Sequence, residues 1–235
     1  MIATINPKFA KLPPEQKRLW PALRASVDAG FVLYGGTAIS LQLAHRRSVD
    51  FDFFHDQPLN KDLIRSAFPF MERATVVQDA VDTLSVLAPA APNAGGGGVK
   101  VSFFGGLKFG RVGEPSLTRD GVVEVASLDD LMAHNLRVIL LRPEKKDYED
   151  IAAMIRAGRS MAQGLAAARA MFGKSFQPAA ALKAAVYFAD GDLAALSRAD
   201  RDALIAAVSA VRVLPAVKLR SRSLAIPISA GRKKS

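Results

Sequence analysis

The chain is expected to fold as an α+β protein, a mixed sheet with flanking helices followed by a helical C-terminal half. Three observations predict this. Short apolar or alternating runs separated by glycine and proline fill the first 142 residues, as strands require. After Pro143 the pattern changes to helix-length segments bounded by Gly, Pro, Ser or Asp. Half of the 235 residues are hydrophobic, enough for a real core. The expected division is an α/β domain over residues 1–142, a helical domain over 143–212 and a basic tail over 213–235.

Pro13-Pro14-Glu15 opens a helix that carries Leu19, Trp20, Leu23 and Val27 on one face and ends near Gly30. Phe31-Val32-Leu33-Tyr34 reads as a short buried strand, and Gly35-Gly36 as a tight turn. Thr37 is expected to cap a helix running to about Ala44. Asp50-Phe51-Asp52-Phe53-Phe54 is the next strand, and Asn60 the cap of another helix. Thr75-Val76-Val77-Gln78 and Thr83-Leu84-Ser85-Val86-Leu87 form a hairpin around residues 79–82. A Pro, Ala and Gly stretch ends in four glycines at 95–98, ahead of the strand 99–104. That run lacks the Lys-Ser/Thr of a phosphate loop and reads as a hairpin connection. Val122-Val123-Glu124-Val125 is short and edge-like, and Ser127 caps a helix through Leu141. Helices are then expected over 144–157, 161–172, 178–189 and 197–211, and Leu224-Ala225-Ile226-Pro227-Ile228 as a docked strand or a mobile end.

The chemistry lies between residues 34 and 54. Gly35 and Gly36 let a phosphate approach the backbone, and a helix N-terminus there favours an anion. The period of two in the following strand puts Asp50 and Asp52 on one face and the phenylalanines on the other. Two carboxylates beside apolar surface carry an expensive unpaired charge, which a metal would relieve. They suit Mg²⁺ carrying a triphosphate, so the pattern points to nucleotide chemistry.

Composition narrows the setting. There is no cysteine, hence no disulfide framework and no thiolate metal site. No stretch approaches the roughly 20 apolar residues of a membrane span, and the N-terminus lacks a signal-peptide layout. A soluble, cytoplasmic protein is expected. The net charge is +10, and residues 203–235 supply seven basic side chains without an acid. Residues 151–189 add five more, again without an acid. Such a surface suits an RNA backbone, an acidic partner or the tail of a nucleotide, whereas a solvated end explains Arg232-Lys233-Lys234 equally well.

The segment Gly35-Gly36-Thr37-Ala38 followed by Arg46-Arg47-Ser48-Val49-Asp50-Phe51-Asp52-Phe53-Phe54 resembles the nucleotidyltransferase superfamily, and more closely the AbiEii/AbiGii toxin family. A later segment from Val125 to Leu131, then Arg142 and Lys146-Asp147-Tyr148-Glu149-Asp150-Ile151, follows in the family's order. The resemblance implies a nucleotidyltransferase-like fold. It also implies transfer of a nucleotide from a nucleoside triphosphate to a hydroxyl of an RNA such as tRNA, or of a protein. Asp50 and Asp52 would hold Mg²⁺. Gly35, Gly36, Thr37, Arg46 and Ser48 would bind the nucleotide, and Lys146 and Asp147 would assist catalysis. Lys145 is a local alternative to Lys146. A neutralising antitoxin encoded alongside is also implied.

Two departures stand out. The superfamily's third carboxylate is expected on strand 99–104, where Ser102 stands instead, with Asp120 or Glu124 as substitutes. The family often has Lys where this chain has Asn135, and Arg137 could replace that charge. Two rivals therefore remain: a degenerate nucleotide-binding or partner-docking module of the same fold, and a plain RNA-binding protein.

Overall fold

The computed structural model describes residues 3–89 and 98–226. Of the expected segment 224–228 only residues 224–226 are described, and they form no strand; residues 95–97 of the glycine run and Arg232-Lys233-Lys234 lie outside the described residues.

Eight strands form one mixed sheet: β1 (Thr4–Ile5), β2 (Val32–Tyr34), β3 (Asp50–Phe54), β4 (Thr75–Ala80), β5 (Thr83–Ala88), β6 (Val99–Phe104), β7 (Ser116–Thr118) and β8 (Glu124–Val125). Their order is β1-β7-β8-β2-β3-β6-β5-β4. β2 and β3 are antiparallel, with Tyr34 opposite Asp52, and β3 and β6 are parallel, with Asp50 opposite Lys100 and Asp52 opposite Ser102. β8 is not an edge strand. It lies between β7 and β2, and both its residues are buried.

The helices are α1 (Pro14–Leu19), α2 (Ala25–Asp28), α3 (Gly35–Leu43), α4 (Lys61–Ala67), α5 (Leu128–Val138), α6 (Lys145–Arg156), α7 (Met161–Phe172), α8 (Pro178–Ala185) and α9 (Arg198–Ser209). Asn60, Ser127 and Ser197 cap α4, α5 and α9 through their side-chain oxygens, as their local sequence requires. The helix expected over residues 14–30 is broken instead by a 3-10 turn, Trp20–Arg24, whose second residue is Pro21. A proline inside the helix has no N–H to donate to the preceding turn.

Alternation along β3 separates a core face from a cleft face. Phe51 and Phe53 are fully buried on the core face, with Trp20 6.2 Å from Phe51 and Phe103 5.6 Å from Phe53. Asp50, Asp52 and Phe54 share the other face, so Phe54 departs from the expected all-phenylalanine side. Its ring stacks on Tyr34 at 4.6 Å and lies 5.3 Å from His134 of α5. α5 in turn packs against α6 and α7, and the buried residues form one continuous cluster from Leu12 to Leu224. The chain then returns to the sheet side. Arg111 bridges to Ser221, and Leu224, which is buried, donates its N–H to Asp56.

Candidate functional site

A cleft of about 420 Å³ opens where the N-terminus of α3, the polar face of β3 and β6, and helices α5 and α6 meet. Its geometry begins with two glycines. Gly35 has φ +71°, and a side chain there would put a Cβ 2.8 Å from Asp52 Oδ2. A Cβ on Gly36 would lie 2.3 Å from Arg46 Nη2. Glycine is needed at both positions, at the first for backbone freedom and at both for room.

α3 starts at Gly35, with Tyr34 at the N-cap, so Thr37 is not the cap that its sequence suggests. Thr37 is buried, donates to the Asp50 carbonyl and lies 2.9 Å from Ser48 Oγ. Its hydroxyl ties the helix to the start of β3 and does not line the cleft. Ser48 does line it.

Neither Asp50 nor Asp52 makes a side-chain hydrogen bond or ion pair among the described residues. Burial pushes Asp52 up to about 6, helped by the like charge of Asp50 and opposed by Lys100, Lys146 and Arg142. Those three cations line the same cleft. The result is a pair of acids on one strand sharing the cleft with three cations, with oxygen donors free for a hard cation, Lys100 unpaired among the described residues, and Arg142 and Lys146 each paired with Glu144. No group of three or more His, Cys, Asp or Glu with metal-binding geometry occurs among the described residues.

α6 brings its acids to two different places. Asp147 lines the cleft and is pushed up to about 6 by burial, with Arg142 pulling the other way. Its Oδ2 is buried without a hydrogen-bond partner, 3.7 Å from Arg142 Nη2. Lys146 also lines the cleft, with its ammonium 2.7 Å from Glu144. Lys145 instead pairs with Glu149 at 3.0 Å and is absent from the cleft lining, which favours Lys146 of the two. Asp150 is saturated: it accepts from Arg46 Nε at 2.6 Å and Nη2 at 2.7 Å, and lies 2.6 Å from His45 Nε2. Arg46 thus fastens α6 to the end of α3 while its guanidinium borders the cleft.

Ser102 sits opposite Asp52, where a third carboxylate was sought, but it is fully buried and bonded to Ser85 Oγ at 3.0 Å. The two substitutes face elsewhere. Asp120 accepts from Trp20 Nε1 at 2.8 Å, and Glu124 accepts from the Ile226 N–H at 2.8 Å. Asn135 lines the cleft, and its Nδ2 is buried without a partner. Arg137 does not replace a charge there, because its guanidinium lies over the Phe172 ring in a neighbouring cavity, 4.4 Å from the centroid.

Sequence reasoning gave no role to Lys100 or His134, and named Arg142 only as part of the family's order of motifs. For Lys100 a signal existed: it alternates with Ser102 and Phe104 along β6, which puts it on the cleft face. His134 and Arg142 reach the site only through the packing of α5 and the loop after it.

Comparison with known proteins bears on the fold and the family. An uncharacterized protein of Aquifex aeolicus (strain VF5) is 30% identical over 152 residues, covering 62% of this chain and 68% of that protein. A crystal structure from H. pylori, provisionally described as a nucleotidyltransferase, superposes with a TM-score of 0.54 at 16% identity, over 83% of this chain and 92% of that one. The Helicobacter pylori protein JHP933 gives a TM-score of 0.53 at 17% identity, over 83% and 89%. At such identities the two structures speak for the fold alone. The model of the family described as "Nucleotidyl transferase AbiEii toxin, Type IV TA system" matches residues 18–218. With the glycine turn, the Asp50/Asp52 strand and the α6 motif all within that match, the chain belongs to the AbiEii family of nucleotidyltransferase toxins.

Proposed function

We propose that the cleft binds a nucleoside triphosphate with Mg²⁺ and transfers its nucleotide to a hydroxyl of an RNA, with tRNA the first candidate and a protein side chain the second. The observation that carries this reading is the unpartnered Asp50/Asp52 pair sharing one cleft with Lys100, Arg142 and Lys146. Mg²⁺ commonly takes one or two protein carboxylates and completes its shell with substrate phosphates and water, so this donor set fits it. When bound, it neutralises phosphate charge and polarises the phosphoryl oxygens.

The chain's own residues account for the remainder. Asp50 and Asp52 hold the cation, and Gly35 and Gly36 keep the α3 N-terminus open to phosphate. Lys146, Arg142 and Lys100 balance the charge of the triphosphate. Asp147 lines the cleft and is raised toward neutrality, so it can take the proton of the attacking hydroxyl. The acceptor oxygen bonds to the α-phosphorus as the α–β bridging bond breaks and pyrophosphate leaves. Family membership supports a cognate antitoxin as partner. The basic charge of the helical half supports RNA over protein as acceptor. No helix among the described residues is long and apolar enough to cross a membrane, and a cytoplasmic setting is consistent with that.

Ser102 favours one alternative, a module of this fold that binds nucleotide and transfers it poorly. Incubating the full chain with labelled nucleoside triphosphates and Mg²⁺, with total tRNA or alone, separates the two. Transfer that disappears in Asp50→Ala and Asp52→Ala is the expected result. Nucleotide binding without transfer under all conditions points to the module.

A further inference from the structure

Beside the acidic cleft lies a second cavity of about 460 Å³, and its walls are of a different kind. Phe104, Phe109 and Phe172 supply aromatic faces, and Phe109 and Phe172 pack at 5.3 Å. Arg137 adds a planar cation stacked on Phe172, and Lys108 stands exposed at the rim. No carboxylate among the described residues lines the cavity. Phe54, Phe104 and His134 line both cavities, so the two are adjacent.

The strands explain the juxtaposition. β3 presents Asp50, Asp52 and Phe54 in succession on one face, and β6 presents Lys100, Ser102 and Phe104 beside them. Charge therefore gives way to aromatic surface along the strands. At about 3.3 Å per residue, Phe54 follows Asp52 by roughly 7 Å, a step comparable to a sugar between a phosphate and its base. His134 at the junction is half-buried among Tyr34, Phe54 and Phe109 and is held neutral by desolvation, so it offers another ring face instead of a charge. An aromatic slot with cations and no acid selects against a cationic ligand and for a flat one attached to phosphate. The volume is in the range of small-molecule sites.

Resting on the nucleotidyl-transfer reading of the neighbouring cleft, we infer that this aromatic cavity is a nucleobase subsite, with the base stacked among Phe104, Phe109 and Phe172, its phosphate side turned past Phe54 toward the acidic cleft, and Arg137 and Lys108 beside the base. That base belongs either to the incoming nucleoside triphosphate or to the terminal nucleotide of an RNA acceptor. Such stacking tolerates any base, because every base has a π-face.

The test compares binding of three probes in Mg²⁺ by the full chain: inorganic tripolyphosphate, nucleoside triphosphates and a short single-stranded RNA. Phe172→Leu and Arg137→Gln are measured against wild type, since both residues line the aromatic cavity and not the acidic cleft. Arg137→Gln, which keeps a polar group at a partly exposed position, guards against a folding defect in the other variant, and thermal melts check both. If the base comes from the triphosphate, its affinity falls roughly ten- to hundred-fold toward that of tripolyphosphate, which itself is unchanged. If it comes from the acceptor, RNA affinity falls by that factor and nucleotide affinity holds. Unchanged affinity for both in folded variants overturns the subsite while leaving the cleft reading intact. Wild type that binds neither tripolyphosphate nor nucleotide overturns the cleft reading and this inference with it.

Discussion

Asp52 and Asp150 are carboxylates of the same site region, yet the fold treats them in opposite ways. Asp150 is almost fully buried and takes two guanidinium donors from Arg46 and a close contact from His45, all at 2.6–2.7 Å. Asp52 is half-buried, has no such partner, and is raised to about 6 by burial and, after that, by the carboxylate of Asp50 beside it. A buried charge without a partner opposes folding, so one that persists marks a place where the molecule is completed by something else. Asp150 is satisfied by the protein; Asp52 awaits a cation and phosphate. The same distinction separates Asp147, whose Oδ2 has no hydrogen-bond partner, from Asp130, which accepts from the N–H groups of Val112 and Gly113 and from Ser127.

The strongest way to test this contrast is Asp52→Asn. Transfer is expected to fall by on the order of 10³-fold or more, while the ligand-free protein melts higher, by about 2–4 °C per kcal/mol of repulsion relieved. A lower melting temperature would mean that Asp52 is a structural residue after all. Asp150→Ala should do the reverse, costing about 3–5 kcal/mol of stability because it strands Arg46 in a partly buried position. Urea denaturation reads that loss, and a change below about 1 kcal/mol would break the distinction.

The pH dependence is a smaller effect with a definite sign. Asp52 and Asp147 bind a proton more readily in the folded chain than in the unfolded one. Their contribution to stability is therefore complete below about 4, the unfolded range for Asp, and is lost as pH rises through about 6. The Asp52→Asn, Asp147→Asn double variant should show a flatter fall of melting temperature across that window than wild type does. Parallel curves would contradict the shifts.

The smallest effect is expected from Ser102→Ala. Losing the bond to Ser85 should cost about 1 kcal/mol, with the transfer rate unchanged. A large drop in rate with stability intact would place Ser102 in the chemistry, despite its burial.

Much of the site was legible because its signals are local. Asn60, Ser127 and Ser197 cap the helices that begin after them, since a side-chain oxygen reaches an N–H three residues on. The alternation in residues 50–54 placed both acids on one face. Thr37 misled because a hydroxyl beside a glycine turn looks the same whether it caps its helix or bonds to a strand 13 residues away. β1 and β7 are two and three residues long, too short for alternation to show, and form only because they pair with distant chain.

By itself, the sequence determined the alternating acids, the glycine turn, the helix caps and the change from strands to helices after Pro143. Each depends on residues within one turn or one strand of each other, where backbone geometry dictates the outcome. Only the tertiary structure decided that Lys100, Arg142 and Lys146 face Asp52, that Asp150 is spent on Arg46, and that Phe104, Phe109 and Phe172 enclose a second cavity. Those relations join residues up to 104 positions apart, brought together by burial of one shared core, and no local period records them.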